Sequence, residues 1–252
     1  MRSTALVAGL ALAGCRFGFE SLTGDAGGGG DAVGGDDAGP DASPPAPRAI
    51  AVGEDFACTV RDGAVWCWGD DHHGQLGDGD RTPRPYPVRV QGIADAVSVV
   101  AGESHACALR AAGGVMCWGE NESRQVGSTD PADHLVPFSV PRLGVATAIA
   151  AGDHHTCARL TDATAWCWGN NDDDQLGFTG PGTEAPQRVL EDVTAIATGE
   201  GHTCALRGSG EVWCWGLNDS GQLGDPTHVS RPTPKPIAGL TASAISLGGQ
   251  TS

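Results

Sequence analysis

The stretch HTCALRGSGEVWCWGLNDSGQLG, residues 202–224, decides the fold. Its centre, VWCWG, sets the thiol of Cys214 between the indoles of Trp213 and Trp215. Near-copies start at Val65 (VWCWG), Val115 (VMCWG) and Ala165 (AWCWG), so the motif recurs about every fifty residues. All seven tryptophans lie in these copies: Trp66, Trp68, Trp118, Trp166, Trp168, Trp213 and Trp215. A repeat of this length is the signature of a solenoid or a propeller.

Each copy belongs to a longer unit. A small-residue stretch ends in glycine: AIAVG from residue 49, SVVAG from 98, AIAAG from 148, AIATG from 195. A cysteine stretch follows: FACTV from 56, HACAL from 105, HTCAR from 155, HTCAL from 202. After the tryptophan motif comes a polar loop with glutamine near its end: HGQLG from 73, RQVG from 124, DQLG from 174, SGQLG from 220. A proline-bearing segment closes the unit. The apolar runs are short, alternating and punctuated by glycine, which predicts strands and no helices. The units fall at residues 48–97, 98–147, 148–194 and 195–242, with a partial one at 243–252.

The turns set the register. Placing Cys58 opposite Cys67 leaves Asp62-Gly63 as a two-residue loop, a favoured type I′ hairpin. Cys107 opposite Cys117 leaves Ala111-Ala112-Gly113, and Cys204 opposite Cys214 leaves Gly208-Ser209-Gly210. Both are three-residue loops with glycine at the left-handed position. Cys157 opposite Cys167 leaves Thr161-Asp162-Ala163, where alanine departs from that rule. Facing residues on antiparallel strands have Cα atoms about 4.5–5.5 Å apart, a separation a disulfide accepts. We therefore expect bridges Cys58–Cys67, Cys107–Cys117, Cys157–Cys167 and Cys204–Cys214, each worth roughly 2–3 kcal/mol in the chain-entropy view. The rival reading is metal. His105, His155 and His202 each precede a cysteine by two residues and share its face of the strand. A His-Cys-Cys trio lacks the fourth ligand of a closed zinc site, and Phe56 stands at the histidine position of the first unit, so no metal ligand is assigned.

The two tryptophans flanking each cysteine point to the opposite strand face from it. In a propeller both faces are covered by neighbouring blades. Met116 replaces one indole in the second unit, which suits core filling better than a sugar-stacking platform.

The N-terminus, MRSTALVAGLALAGC, has a charged start at Arg2 and an apolar core over residues 5–13, the layout of an export signal. Its end, LAGC, resembles a bacterial lipobox, which implies removal of residues 1–14 and acylation of Cys15. Ordinary cleavage after Ala13 is the alternative. Cysteine parity favours the lipobox: nine cysteines less Cys15 leave eight to pair. Residues 15–47 continue as a Gly/Asp/Pro-rich stretch with too few apolar side chains to offset ordering, which reads as an acylated disordered tether. Its aspartates lack the spacing of a calcium loop. The net charge of −16 argues against nucleic acid, and against membrane contact other than through the lipid.

From residue 48 the chain resembles the regulator of chromosome condensation repeat family, whose unit runs H-T-x-A-L, then G-x-V-x-x-W-G-x-N-x-x-G-Q-L-G. Residues 202–224 match closely; elsewhere Phe56 replaces His, Asp71 replaces Asn, and Arg124 and Asp174 replace Gly. The resemblance implies a seven-bladed β-propeller, all-β, with four-stranded blades. About four and a half units are present, where seven need about 350 residues. This suggests a fragment or, in a complete chain, an open arc that self-associates. The family's nuclear founder exchanges guanine nucleotide on a small GTPase; an exported lipoprotein meets no such partner, and no exchange residue is carried over.

No nucleophile elbow, phosphate-cradling loop or paired-histidine zinc helix is present, so no catalytic residue and no cofactor are assigned. The acidic loops at residues 69–80 and 170–177 read as solvated loops that favour a basic partner. The expectation is a non-enzymatic, membrane-anchored propeller. It presents a protein-binding face at the bacterial cell envelope, on the outer membrane or the cell surface. The resemblance includes exported members of that kind, such as β-lactamase inhibitors. The alternative is a carbohydrate-binding adhesin or a polysaccharide-acting enzyme, which needs exposed indoles.

Overall fold

A computed structural model describes residues 50–248, and Cys15 with the expected signal and tether lies outside them. The described chain forms sixteen strands, with no helix among the described residues. The first blade holds β1 (Ile50–Val52), β2 (Phe56–Arg61), β3 (Ala64–Gly69) and β4 (Arg84–Arg89). The second holds β5 (Ala96–Ala101), β6 (His105–Arg110), β7 (Val115–Gly119) and β8 (His134–Ser139). The third holds β9 (Ala146–Ala151), β10 (His155–Leu160), β11 (Ala165–Gly169) and β12 (Thr183–Leu190). The fourth holds β13 (Val193–Thr198), β14 (His202–Arg207), β15 (Glu211–Gly216) and β16 (Arg231–Thr241). Each sheet is a four-stranded antiparallel meander in chain order. The inner strands of the second, third and fourth blades begin two residues ahead of the unit boundaries at 98, 148 and 195.

Turn chemistry explains the hairpins. Asp62 (φ 52°) and Gly63 (φ 78°) both take the left-handed region, as a type I′ turn requires. Gly113 (φ 82°) and Gly210 (φ 85°) take it in the three-residue loops. Ala163 takes it too, at φ 60°, so the loop keeps its shape and the alanine carries the strain. Prolines cluster in the outer strands β4, β8, β12 and β16, for example Pro85, Pro87, Pro232 and Pro234. Proline has no N–H to leave unpaired on an edge.

The register brings each cysteine pair face to face: Cys58 with Cys67, Cys107 with Cys117, Cys157 with Cys167 and Cys204 with Cys214. The S–S separations are 2.05, 2.08, 2.10 and 2.02 Å. Every one of these cysteines is buried.

The core is a series of layers between blades. Trp118 of the second blade packs in one cluster with Cys58 and Cys67 of the first. Trp168 packs likewise against Cys107 and Cys117, and Trp215 against Cys157 and Cys167. A staple on one blade thus faces an indole from the next, which is why the two residue types alternate along one strand. These three indoles are fully buried, while Trp66, Trp68, Trp166 and Trp213 are half-buried. Truncating a buried aromatic of this size to alanine costs about 3–5 kcal/mol.

Candidate functional site

The strand order places two sets of loops on one face of the propeller. The β1–β2, β5–β6, β9–β10 and β13–β14 turns lie beside the long loops that follow β3, β7, β11 and β15. The Asp70 N–H donates to the Asp55 carbonyl at 2.9 Å, tying the two sets together in the first blade; Glu120 to Ser104 and Asn170 to His154 repeat the link. The opposite face carries the hairpin turns.

Each inner strand is followed by a glycine and an acid: Gly53-Glu54, Gly102-Glu103, Gly152-Asp153 and Gly199-Glu200. These residues line a funnel of about 570 Å³, together with Val52, Ala101, Ala151, Thr198, Leu247 and Gly248. The glycines are dictated by close approach. A Cβ on Gly102 would sit 2.3 Å from the Gly152 carbonyl oxygen and 2.3 Å from the His105 ring. Gly152 stands in the same way 2.5 Å from the Gly199 carbonyl and 2.2 Å from His155. The acids are then stitched round the funnel by their backbones. Glu54 N–H donates to the Glu103 carbonyl at 3.2 Å, Glu103 to Asp153 at 3.3 Å, and Asp153 to Glu200 at 3.3 Å.

Crowding like charges has the expected electrostatic result. Burial, then the charges of Glu200 and Glu103, push the Asp153 carboxyl up to about 6. Glu54 is raised chiefly by Glu103 and next by Asp55. Among the described residues, His154 answers this cluster directly: its Nε2 lies 2.9 Å from Glu103, and its Nδ1 lies 3.4 Å from Glu120. The Glu120 carboxylate beside it raises the His154 imidazole above its ordinary range.

The longer loops extend the acidic surface. Asp70, Asp71, Asp78 and Asp80 follow β3, Glu120 and Glu122 follow β7, and Asp172, Asp173 and Asp174 follow β11. Only Arg81 and Arg124 among these loops carry a permanent positive charge. On the opposite face, Arg61, Arg110 and Arg207 end β2, β6 and β14. The molecule is therefore polarised, acid on the funnel face and mixed charge on the hairpin face.

The histidines are built into the joints between blades. Thr156 Oγ1 donates its hydrogen to the Gln125 carbonyl at 3.0 Å, so it accepts from His105 Nε2, also at 3.0 Å. Thr203 donates to the Gln175 carbonyl at 2.9 Å and accepts from His155 Nε2 at 2.9 Å. Trp168 and Trp215 give their indole N–H to the same two carbonyls, at 3.0 and 2.9 Å. His105 and His155 are thus neutral packing residues whose Nε2 is engaged across the joint. Burial pushes His105 down to about 4 and His155 down to about 3.

Read alone, the sequence showed the loops at 69–80 and 170–177 as acidic but missed the funnel acids. The available signal was the acid after the glycine that follows each inner strand, Glu in three blades and Asp in the third.

Four consecutive four-stranded blades around an axial funnel define a repeat-built β-propeller. The chain belongs to the RCC1-like domain family, whose model matches residues 32–252. No curated protein sequence matches the chain. Among solved structures it is similar to human WBSCR16, with 22% identity and a TM-score of 0.73 over 81% of this chain and 56% of that one. It is also similar to Prp20p of Saccharomyces cerevisiae, with 23% identity and a TM-score of 0.71 over 80% of this chain and 53% of that one. The same yeast RCC1 bound to Kap60 gives 23% identity and a TM-score of 0.67, covering 75% of this chain and 48% of the other. The chain spans about half the length of these structures. At these identities the likeness concerns the fold.

Proposed function

We propose that this propeller is a non-enzymatic protein-binding module whose funnel face receives a basic segment of a partner. The observation that carries the reading is the arc Glu54, Glu103, Asp153 and Glu200, one acid from each blade, lining a funnel of about 570 Å³. Carboxylates converging from four rigid strands form a pre-set field for lysine or arginine side chains. Among the neighbours, yeast RCC1 (Prp20) is bound to Kap60, and Prp20p is described with binding properties toward Gsp1p and histones. Proteins with this fold therefore bind other proteins elsewhere. The reading also takes the four cysteine pairs as oxidised and Cys15 as the acylated anchor. That would put the funnel face at the cell envelope, held by the lipid and the tether.

The sugar-binding alternative draws less support. Trp118, Trp168 and Trp215 are buried, and their N–H groups are spent on backbone carbonyls.

A labelled lysine-rich peptide tests the reading. Binding to the wild-type chain should weaken steeply with added salt. It should fall at least about tenfold in the Glu54→Gln, Glu103→Gln, Asp153→Asn, Glu200→Gln variant, because each lost charged pair is worth roughly 0.5–1 kcal/mol. Equal binding by that variant would refute the funnel as the site.

A further inference from the structure

One repeat position separates the first blade from the other three. Asn121, Asn171 and Asn218 occupy it in the second to fourth blades, and Asp71 occupies it in the first. All four side chains are buried, and all four accept from the backbone N–H five residues on, at 2.9 Å: Leu76, Val126, Leu176 and Leu223. They differ at the other end of the side chain. Asn121 Nδ2 donates to the Ser128 and Asp130 carbonyls. Asn171 Nδ2 donates to the Phe178 and Gly180 carbonyls, at 3.0 and 2.7 Å. Asn218 Nδ2 donates to Asp225 at 3.0 Å. Asp71 has an oxygen where the others have an amide, and it has no hydrogen to give. Its Oδ2 is buried and has no partner among the described residues.

Two more carboxylates stand at the same place. Asp78 and Asp80 follow Asp71 by seven and nine residues, the spacing at which the asparagines find their acceptors. Carboxylate oxygens of Asp71, Asp78 and Asp80 lie within 4.8 Å of one another. Two oxygens on one calcium ion lie at most about 4.8 Å apart, twice a metal–ligand distance of about 2.4 Å, so each pair here is within reach of a shared ion. Arg84 answers part of the charge, 3.3 Å from Asp78 Oδ2 and 2.7 Å from Asp80 Oδ2. The fourth blade already holds the equivalent pair, Arg231 with Asp225, beside a neutral Asn218. Asp71 and Asp80 are therefore excess charge. Three carboxylates against one guanidinium leave two negative charges, which one divalent cation matches.

We propose that Asp71, Asp78 and Asp80 bind a calcium ion that pins the loop after β3. A donor set of oxygens alone suits a hard cation, and carboxylates that can bind through one or both oxygens suit the flexible geometry of calcium better than the strict octahedron of magnesium. The ion takes the structural place that the asparagine amide holds in the other blades.

Calcium chloride titrated into the chelator-treated full chain tests this by calorimetry and thermal unfolding in parallel. Binding with a Kd on the order of 10⁻⁴ M is expected for a small exported site. At about 100 times Kd the unfolding midpoint should rise by about 5–10 °C. Asp71→Asn restores the residue of the other blades, so that variant should fold with a calcium-free midpoint equal to or above wild type. It should lose both the heat and the calcium-dependent shift. No heat and no shift in the wild type would overturn the proposal and leave Asp71 as a protonated hydrogen-bond donor. An undiminished shift in Asp71→Asn would also overturn it, placing calcium elsewhere, and a shift with magnesium as large as with calcium would overturn the choice of metal.

Discussion

His155 Nε2 meets Thr203 Oγ1 at 2.9 Å across the joint between the third and fourth blades. His105 meets Thr156 in the same way one joint earlier. At the joint before that, Phe56 and Ala106 lie in one apolar cluster. The position accepts a polar pair or an apolar pair, because a buried imidazole N–H without an acceptor is costly and an aromatic carbon edge needs none.

Breaking one half of the pair should therefore cost more than replacing both. Thr203→Val leaves His155 Nε2 and part of the Gln175 carbonyl unmatched, and should lose about 1–3 kcal/mol. The double change His155→Phe with Thr203→Ala reproduces the Phe56/Ala106 joint and should recover part of that loss. Urea unfolding of the four members of this cycle gives the coupling directly.

The same pair sets a pH dependence. Burial holds His155 down to about 3 and His105 down to about 4, while an unfolded histidine titrates near 6.5. Below pH of about 6.5 the unfolded chain takes up protons that the fold refuses. Stability present above that pH is lost as pH falls toward the folded values. Unfolding midpoints at several pH values between about 7 and 4.5 should fall more steeply for wild type than for the Phe/Ala double variant.

Ala163 sits at φ 60° in a loop where the second and fourth blades place Gly113 and Gly210. Ala163→Gly removes the clash of Cβ in the left-handed region but frees the unfolded chain. The net should be a gain of about 0.5–1 kcal/mol. Thermal unfolding should register it as a higher midpoint, and an unchanged or lower midpoint would refute the strain.

The four cysteine pairs predict a mass deficit of two hydrogens per pair in the intact protein before reduction. Native-state reduction should be slow, since all eight paired cysteines are buried. Full reduction should lower stability by roughly 2–3 kcal/mol per bridge lost.

Much of the fold was legible in the chain because turns and alternation act locally. Asp62-Gly63 can close only one kind of hairpin, and that hairpin aligns Cys58 with Cys67 whatever surrounds it. Tryptophan and cysteine at adjacent positions must face opposite sides of a strand. From these facts came the four blades, their all-β character and the placing of cysteine and tryptophan on opposite strand faces. Interactions between blades were not legible, since they join residues about fifty positions apart with no local pattern to mark them. Only the tertiary structure brings Glu54, Glu103, Asp153 and Glu200 round one funnel, passes Thr203 between His155 and the Gln175 carbonyl, and gathers Asp78 and Asp80 at the bare oxygen of Asp71. Strand register is a short-range property of the backbone, and charge convergence is a property of how the blades stack.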